Sequence, residues 1–403
     1  MHYPIAITGR GVVSPLGNGV ENVWAAWKSG CSAFEELREP WWPSEVKPRL
    51  VARCEPSPFD SESHILRNLD RCAQLAMAAA DQAWAECGRP QVNPERIGVA
   101  ISSGIGGLDT IHQRTLALER HGRANPNTLP MSMPNNPAAN ISIMFNATGD
   151  ISAPSAACAG GAEAIATASE WITEGHLDMA LAGGCDALLN KLGYIAFDSL
   201  GALSPDSQNQ PQPFGLNRNG FVLGEGAGVL VLERAQHALD RGANILGWIL
   251  GWGSSADAHH LVSSRPDGSS SMLAIQKAIV KASVSVDDIS LLKAHATGTK
   301  AGDLAEAQVL SAIWKNSPNP PVVIAPKAEI GHCISASGPI ELLMALSCLR
   351  HGIAPGLSHA YRLDPALALP FSTNKTELNG SIAMCNSFGF GGKNQVLIIK
   401  SEP

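Results

Sequence analysis

No apolar run in this 403-residue chain approaches the ~20 residues needed to span a bilayer. Met1-His2-Tyr3-Pro4-Ile5-Ala6-Ile7-Thr8 lacks the charged region, apolar stretch and cleavage site of a secretory leader, and reads as a first strand. No concentrated Lys/Arg run is present, which sets nucleic acid aside as a partner. The formal net charge of −7 still leaves room for a small basic patch facing an acidic partner. No CxxC or His-rich spacing calls for a metal site. The nine cysteines are odd in number and without framework spacing, so reduced thiols of a cytoplasmic protein are expected. Short-period repeats and flexible linkers are missing too. Ser103-Gly104-Ile105-Gly106-Gly107 is too incomplete for a dinucleotide fingerprint.

What is present is ample core material, 45% hydrophobic against 16% charged. Short β-branched or apolar runs read as strands: Ile5 to Thr8, Ile97 to Ile101, Met179 to Ala182, Val229 to Leu232, Ile245 to Leu250, Leu291 to Ala294, Val322 to Ala325, Ile382 to Asn386 and Val396 to Ile399. Helical periodicity runs over Asp70 to Cys87, Ala162 to Glu174, Ser271 to Ser283, Leu304 to Trp314 and Gly338 to His351. Nearly continuous apolar strands between helices predict α/β layers with buried sheets. A twofold duplication is suggested, because Ile97 to Ala100 and Leu291 to Ala294 each deliver a small-residue loop. The seam falls between Arg234 and Ala243, giving an N-terminal half, 1–235, and a C-terminal half, 236–403. The Pro-, Gln- and Asn-rich stretch Leu203 to Asn219 is expected at the surface.

Four loops carry candidate chemistry. In Pro154-Ser155-Ala156-Ala157-Cys158-Ala159-Gly160-Gly161 a cysteine sits where a strand turns into a helix, among residues small enough for a substrate to come close. A helix N-terminus favours a thiolate, the form that acts as a nucleophile. A buried structural cysteine fits the same stretch. His295 follows a strand, ahead of Thr297, Gly298, Thr299 and a helix with Asp303 as its expected N-cap. His332 stands five residues after Lys327 in a second small-residue loop. Phe388-Gly389-Phe390-Gly391-Gly392-Lys393 reads as a tight loop with backbone N–H groups free to donate. Each histidine alone could be a satisfied turn residue, and the glycine loop only a turn. The combination of one Cys and two His at strand mouths points to a site.

These segments, in this order, resemble an elongating β-ketoacyl-acyl-carrier-protein synthase of type II fatty acid or polyketide synthesis. The likeness starts at Thr8-Gly9-Arg10-Gly11-Val12-Val13-Ser14-Pro15-Leu16-Gly17. It continues through Ser103 to Gly107, the Cys158 turn, Ala182-Gly183-Gly184, Gly220 to Gly228, Ser255 to His260, and the loops of His295, His332 and Phe388. The resemblance implies a thiolase-like fold, two βαβαβαββ halves in a five-layer αβαβα sandwich. It implies a homodimer, or a heterodimer with a ketosynthase-like subunit. It implies a Cys158-His295-His332 triad, a supporting Lys327–Glu306 ion pair, and an oxyanion hole from the backbone N–H groups of Cys158 and Phe388. Thr297 and Thr299 would hold the phosphopantetheine arm of an acyl carrier protein. Phe388 would gate an acyl pocket bordered by Ile105 and Phe197. Arg67 and Arg71, at i, i+4 spacing in a region that contacts the carrier in the family, would form the basic patch. No cofactor is expected beyond the arm that arrives on the carrier.

The chain departs from the family pattern at Ala296 (usually Gly), at Ala159-Gly160, at Cys333-Ile334-Ser335 and at Lys393. Those changes hint at a specialised acyl substrate. A non-catalytic chain-length factor would lack the nucleophile. A thiolase would carry a cysteine where Phe390-Gly391-Gly392 stands, and a priming synthase would have Asn in place of the second His.

Overall fold

The structure, a computed structural model, describes residues 4–43, 46–55, 69–205, 210–356, 361–367, 369 and 375–402. Ten strands form its frame: β1 (Ile5–Ser14), β2 (Ile97–Ser102), β3 (Ile151–Ser152), β4 (Met179–Asp186), β5 (Gly226–Arg234), β6 (Gly247–Ala256), β7 (Leu291–Lys293), β8 (Val322–Ile324), β9 (Ile382–Phe388) and β10 (Lys393–Ser401). Six helices position the site: α1 (Arg71–Glu86), α2 (Asn136–Phe145), α3 (Gly160–Thr173), α4 (Ser269–Ala282), α5 (Lys300–Trp314) and α6 (Ser337–His351). Each of the nine strands expected from the sequence coincides with one of these. Of the β-compatible stretch before Cys158, only Ile151–Ser152 pairs as a strand.

The strands run in the order β8-β7-β9-β10-β6-β1-β5-β4-β2-β3, so one five-strand arrangement occurs twice. In the first half β2 is parallel to β3 and β4, β4 is antiparallel to β5, and β5 to β1. The second half repeats this with β7, β8, β9, β10 and β6. The halves join through the antiparallel pair β1–β6. Helices α3 and α6 pack on each other between the two halves, α1 covers the outer face of the first, and α4 covers that of the second. This gives five layers, αβαβα.

The duplication reaches single residues. β1 and β6 are both bulged, between Ile7 and Gly9 and between Ile249 and Gly251. In each, a Gly-x-Gly runs under a helix. A Cβ on Gly9 or Gly11 would collide with the α1 carbonyls of Ala83 and Ala79, and one on Gly251 or Gly253 with α4 backbone. Only glycine lets sheet and helix approach so closely.

The described part of Leu203 to Asn219 does not lie wholly at the surface as expected. In it Phe214 is fully buried, and the Phe214 N–H donates to Asp303 Oδ2 at 2.6 Å. Asp303 is therefore not the N-cap of α5. Thr299 is, its hydroxyl accepting from the Gly302 N–H at 3.3 Å.

Candidate active site

Cys158 lies in a 3-10 turn, Ala157–Ala159, that runs directly into α3. Ala157 is left-handed, with φ 47°, a strained conformation for a residue with a Cβ. The expected reason for the small residues here needs correcting. A Cβ on Gly160 would overlap Ser102 Oγ, so packing against β2, not substrate approach, excludes a side chain there. Cys158 Sγ lies 3.0 Å from His332 Nε2, and His332 Nδ1 lies 2.9 Å from Ser337 Oγ. The backbone N–H groups of Phe390 and of Cys158 itself also face the sulfur. The second backbone donor is thus Phe390, not Phe388. Phe388 is still a ladder residue of β9, paired with Asn394, and the chain turns toward Cys158 only after it.

His295 completes the group. Its ring centroid is 5.7 Å from that of His332 and 5.7 Å from that of Phe388. Glu306, nearly two turns into α5, accepts the backbone N–H groups of His295 (2.8 Å) and Ala296 (2.7 Å) and the Asn386 side-chain amide (3.1 Å). With its oxygens so engaged, Glu306 does not form the expected ion pair with Lys327. That partner is Glu341 on α6, 2.7 Å from Lys327 Nζ and 3.0 Å from Nζ of the equally buried Lys293. Lys293 also donates to the Asn386 carbonyl. Neither Glu341 nor Lys293 was among the expected site residues. Each left a signal, as the lone carboxylate in the otherwise apolar start of α6 and as a lysine closing the apolar run Leu291-Leu292.

Burial sets the electrostatics. It pushes both His295 and His332 well below the usual imidazole range, and the Lys327 ammonium adds to the shift in each. Both rings are neutral at pH 7. Burial also lifts the Cys158 thiol, to about 12, against the opposing pull of Lys327 and the two backbone N–H groups. The resting group is a thiol, so the helix N-terminus does not by itself yield the thiolate expected from the sequence.

Cys158, His295 and His332 line one cavity of about 220 Å³, with Phe388 and Phe390 on its wall and Thr297 and Thr299 further along it. Residues 2–238 match the family described as "Beta-ketoacyl synthase, N-terminal domain", and residues 246–360 match its C-terminal domain. The chain belongs to the beta-ketoacyl synthase family. A 3-oxoacyl-[acyl-carrier-protein] synthase 2 of Vibrio cholerae is 35% identical, covering 98% of each chain. A protein of the same name from Staphylococcus aureus is 34% identical over 98% of each. Among solved structures, a beta-ketoacyl synthase from Burkholderia phymatum superposes over the full length of both chains with TM-score 0.91 at 29% identity. A chain of a type II PKS acyl-carrier protein in complex with its ketosynthase does so with TM-score 0.90 at 25% identity.

Set against this beta-ketoacyl synthase frame, the remaining expected residues divide. Thr297 and Thr299 are joined at 3.1 Å through their hydroxyls on the cavity wall. Phe197 is buried in an apolar cluster with Cys158, its ring 6.1 Å from Phe221, which stacks edge-on against His332 at 4.9 Å. Ile105 does not line the cavity: its N–H faces the buried Asp186 carboxylate, and the residue is 39% exposed. Arg71 is no free patch for a carrier. Its guanidinium makes a two-pronged pair with buried Glu225, at 2.8 and 2.7 Å, and donates to the Cys54 carbonyl. α1 begins at Arg71 with Asp70 as N-cap, and Arg67 lies outside the described residues. Of the departures from the family pattern, Ala296 sits at φ 33° and Ile334 at φ 51°, while Lys393 forms a 2.6 Å ion pair with Glu163.

Proposed function

We propose that this chain is a 3-oxoacyl-[acyl-carrier-protein] synthase, joining an acyl group held on Cys158 to a malonyl unit on a carrier protein. One observation carries the reading: a cysteine sulfur 3.0 Å from a neutral histidine, with a second neutral histidine in the same cavity. Cys158 Sγ attacks the carrier-bound acyl thioester. A new C–S bond forms, the old one breaks, and the Cys158 proton leaves with the pantetheine thiol. The tetrahedral oxyanion is held by the N–H groups of Cys158 and Phe390. Malonyl-carrier then enters past Thr297 and Thr299. Loss of CO₂ places charge on the thioester oxygen, to which His295 and His332 donate. The enolate carbon attacks the Cys158 thioester, the cysteine sulfur leaves and regains a proton, and the 3-oxoacyl product departs on the carrier. The steps balance without a metal or redox group. Lys327 and Lys293, held by Glu341, disfavour imidazolium and keep both donors neutral.

The active unit in this reading is a dimer, either of two copies or with a ketosynthase-like subunit, and it works in the cytoplasm. Its support is the edge of the sheet, where β3, among the described residues, pairs only with β2. Ile151 on β3, Ile143 on α2 and Leu129 and Met133 beside it are exposed, on elements that pack against one another. An open strand edge with apolar neighbours favours pairing. Ile105 would border the acyl pocket only once a second subunit covers it. Sedimentation should give a dimer, and Ile143→Asp a monomer.

The direct test is product analysis. Protein mixed with acyl-carrier and malonyl-carrier should release one CO₂ per 3-oxoacyl-carrier formed. Loss of acyl groups by hydrolysis alone, with malonyl-carrier intact, would refute condensation.

A further inference from the structure

His332 is neutral and buried, so one hydrogen is shared between two ring nitrogens. Nε2 faces Cys158 Sγ and the cavity; Nδ1 faces Ser337 Oγ, the first residue of α6, at 2.9 Å. The same hydroxyl oxygen accepts the Cys333 N–H at 2.9 Å. We infer that Ser337 is a positioning residue that fixes the tautomer of His332, keeping its hydrogen on Nε2.

A serine hydroxyl has one hydrogen to donate and two lone pairs to accept with. At Ser337 one lone pair is taken by Cys333. If Nδ1 carried the ring hydrogen and donated it, the hydroxyl would accept twice. Its own hydrogen would then be left without an acceptor in a residue only 1% exposed, an unfavourable arrangement. Other buried helical serines escape this by donating back one turn: Ser169 Oγ to the Ile165 carbonyl at 2.8 Å, Ser347 Oγ to the Leu343 carbonyl at 2.9 Å. Ser337 makes no such bond to a carbonyl. The arrangement that satisfies the Ser337 hydroxyl, the Cys333 N–H and both ring nitrogens has Ser337 donating to Nδ1 and Nε2 carrying the hydrogen toward Cys158 Sγ; it gives up only Nε2 as an acceptor for the Cys158 S–H, a weaker donor than a hydroxyl. The ring cannot turn away, being held edge-on between Phe221 and His295. Among the described residues no other group makes a hydrogen bond with Nδ1, so the choice of tautomer rests on this one side chain.

The consequence rests on the condensation reading. An Nε2–H is the donor an enolate oxygen needs, whereas an Nδ1–H tautomer would present a lone pair to it. The experiment separates the two claims. Nitrogen NMR of the resting full-length protein, labelled with [¹⁵N]histidine, reads the tautomer without substrate, the His332 signals being those lost in His332→Gln. The wild type should show protonated Nε2 and an unprotonated, hydrogen-bonded Nδ1. Ser337→Ala should shift the ring toward a tautomer mixture. It should also lower kcat for malonyl-carrier decarboxylation about tenfold with KM little changed, and Ser337→Thr should restore both. Thermal melting checks that each variant folds. An Nδ1–H signal in the wild type, or Ser337→Ala with unchanged tautomer and unchanged kcat, would overturn the assignment. An Nε2–H wild type that decarboxylates nothing would sink the condensation reading and leave the role of Ser337 in place.

Discussion

Ala157-Cys158-Ala159-Gly160 and Ile334-Ser335-Ala336-Ser337 occupy equivalent places in the two halves. Each begins with a left-handed residue, φ 47° at Ala157 and 51° at Ile334. Each continues through a 3-10 turn and enters a helix of the central layer, α3 or α6. The side chains then part company. Cys158 opens on the cavity, whereas Ser335 turns back, its hydroxyl 2.7 Å from Ser102 Oγ and its N–H 2.9 Å from Asp186. Where α3 starts with Gly160, α6 starts with Ser337, behind His332. Where α3 buries Ala164, α6 buries Glu341 between two lysines. The duplicated backbone supplies two identical strained corners at the centre of the molecule. In the proposed reaction, which half would hold the acyl group and which would handle the enolate follows from a few substitutions on that shared frame. Strain gathers there too, since Ala157, Ala296 and Ile334 each stand within two residues of Cys158, His295 or His332.

The largest contrast comes from changing the two corners in parallel. Cys158→Ala should abolish acyl loading and lower condensation by at least about 10³-fold. Ser335→Ala, at the matching position, should leave loading in place and cost roughly 1–3 kcal/mol of stability through the orphaned partners of its hydroxyl. Loading assays beside denaturant unfolding would show this, and equal loss of loading in both would erase the distinction. Glu341→Gln should be the most damaging change to folding, since it leaves Lys293 and Lys327 buried without a counter-charge, at about 3–5 kcal/mol. Unchanged unfolding of that variant would mean the second half does not depend on its charged centre.

A smaller effect concerns the thiol. With the Cys158 pKa raised to about 12, the thiolate fraction of the resting protein grows roughly tenfold per pH unit below that value. Alkylation of Cys158, followed by peptide mapping to separate it from exposed Cys31, should therefore keep accelerating from pH 7 to pH 10. A plateau near neutrality would show that Lys327 and the backbone donors outweigh burial. The smallest effect is at Ala296. Glycine accepts its φ of 33° without steric cost, so Ala296→Gly should raise stability by up to about 1 kcal/mol, visible as a higher denaturant midpoint. A lower midpoint would contradict strain there.

Strands, long helices and the three triad candidates were legible because each leaves a local mark: a β-branched run, a 3.6-residue period, a polar residue among small ones at a strand mouth. The partners of those residues were not. Glu341 lies 14 residues from Lys327 and is brought back only by the way α6 packs. Arg71 and Glu225 are separated by 154 positions, so nothing near Arg71 marks it as already paired. Phe388 and Phe390 are equivalent in a Phe-Gly-Phe-Gly-Gly string until the β9–β10 ladder decides which one lies past its end. Ile105 was assigned by likeness alone, and no local mark in its glycine-rich loop shows that its side chain stays off the cavity wall.

The central claim is that the two corners run separable steps, acyl holding at Cys158 and enolate formation at His332. It is tested most directly by intact-mass and peptide analysis of His332→Ala incubated with acyl-carrier and malonyl-carrier together. The account predicts that the acyl adduct accumulates on Cys158 while malonyl-carrier stays intact, CO₂ release falling by about 10²-fold or more. Release of CO₂ at the wild-type rate, or an unacylated Cys158, would contradict it.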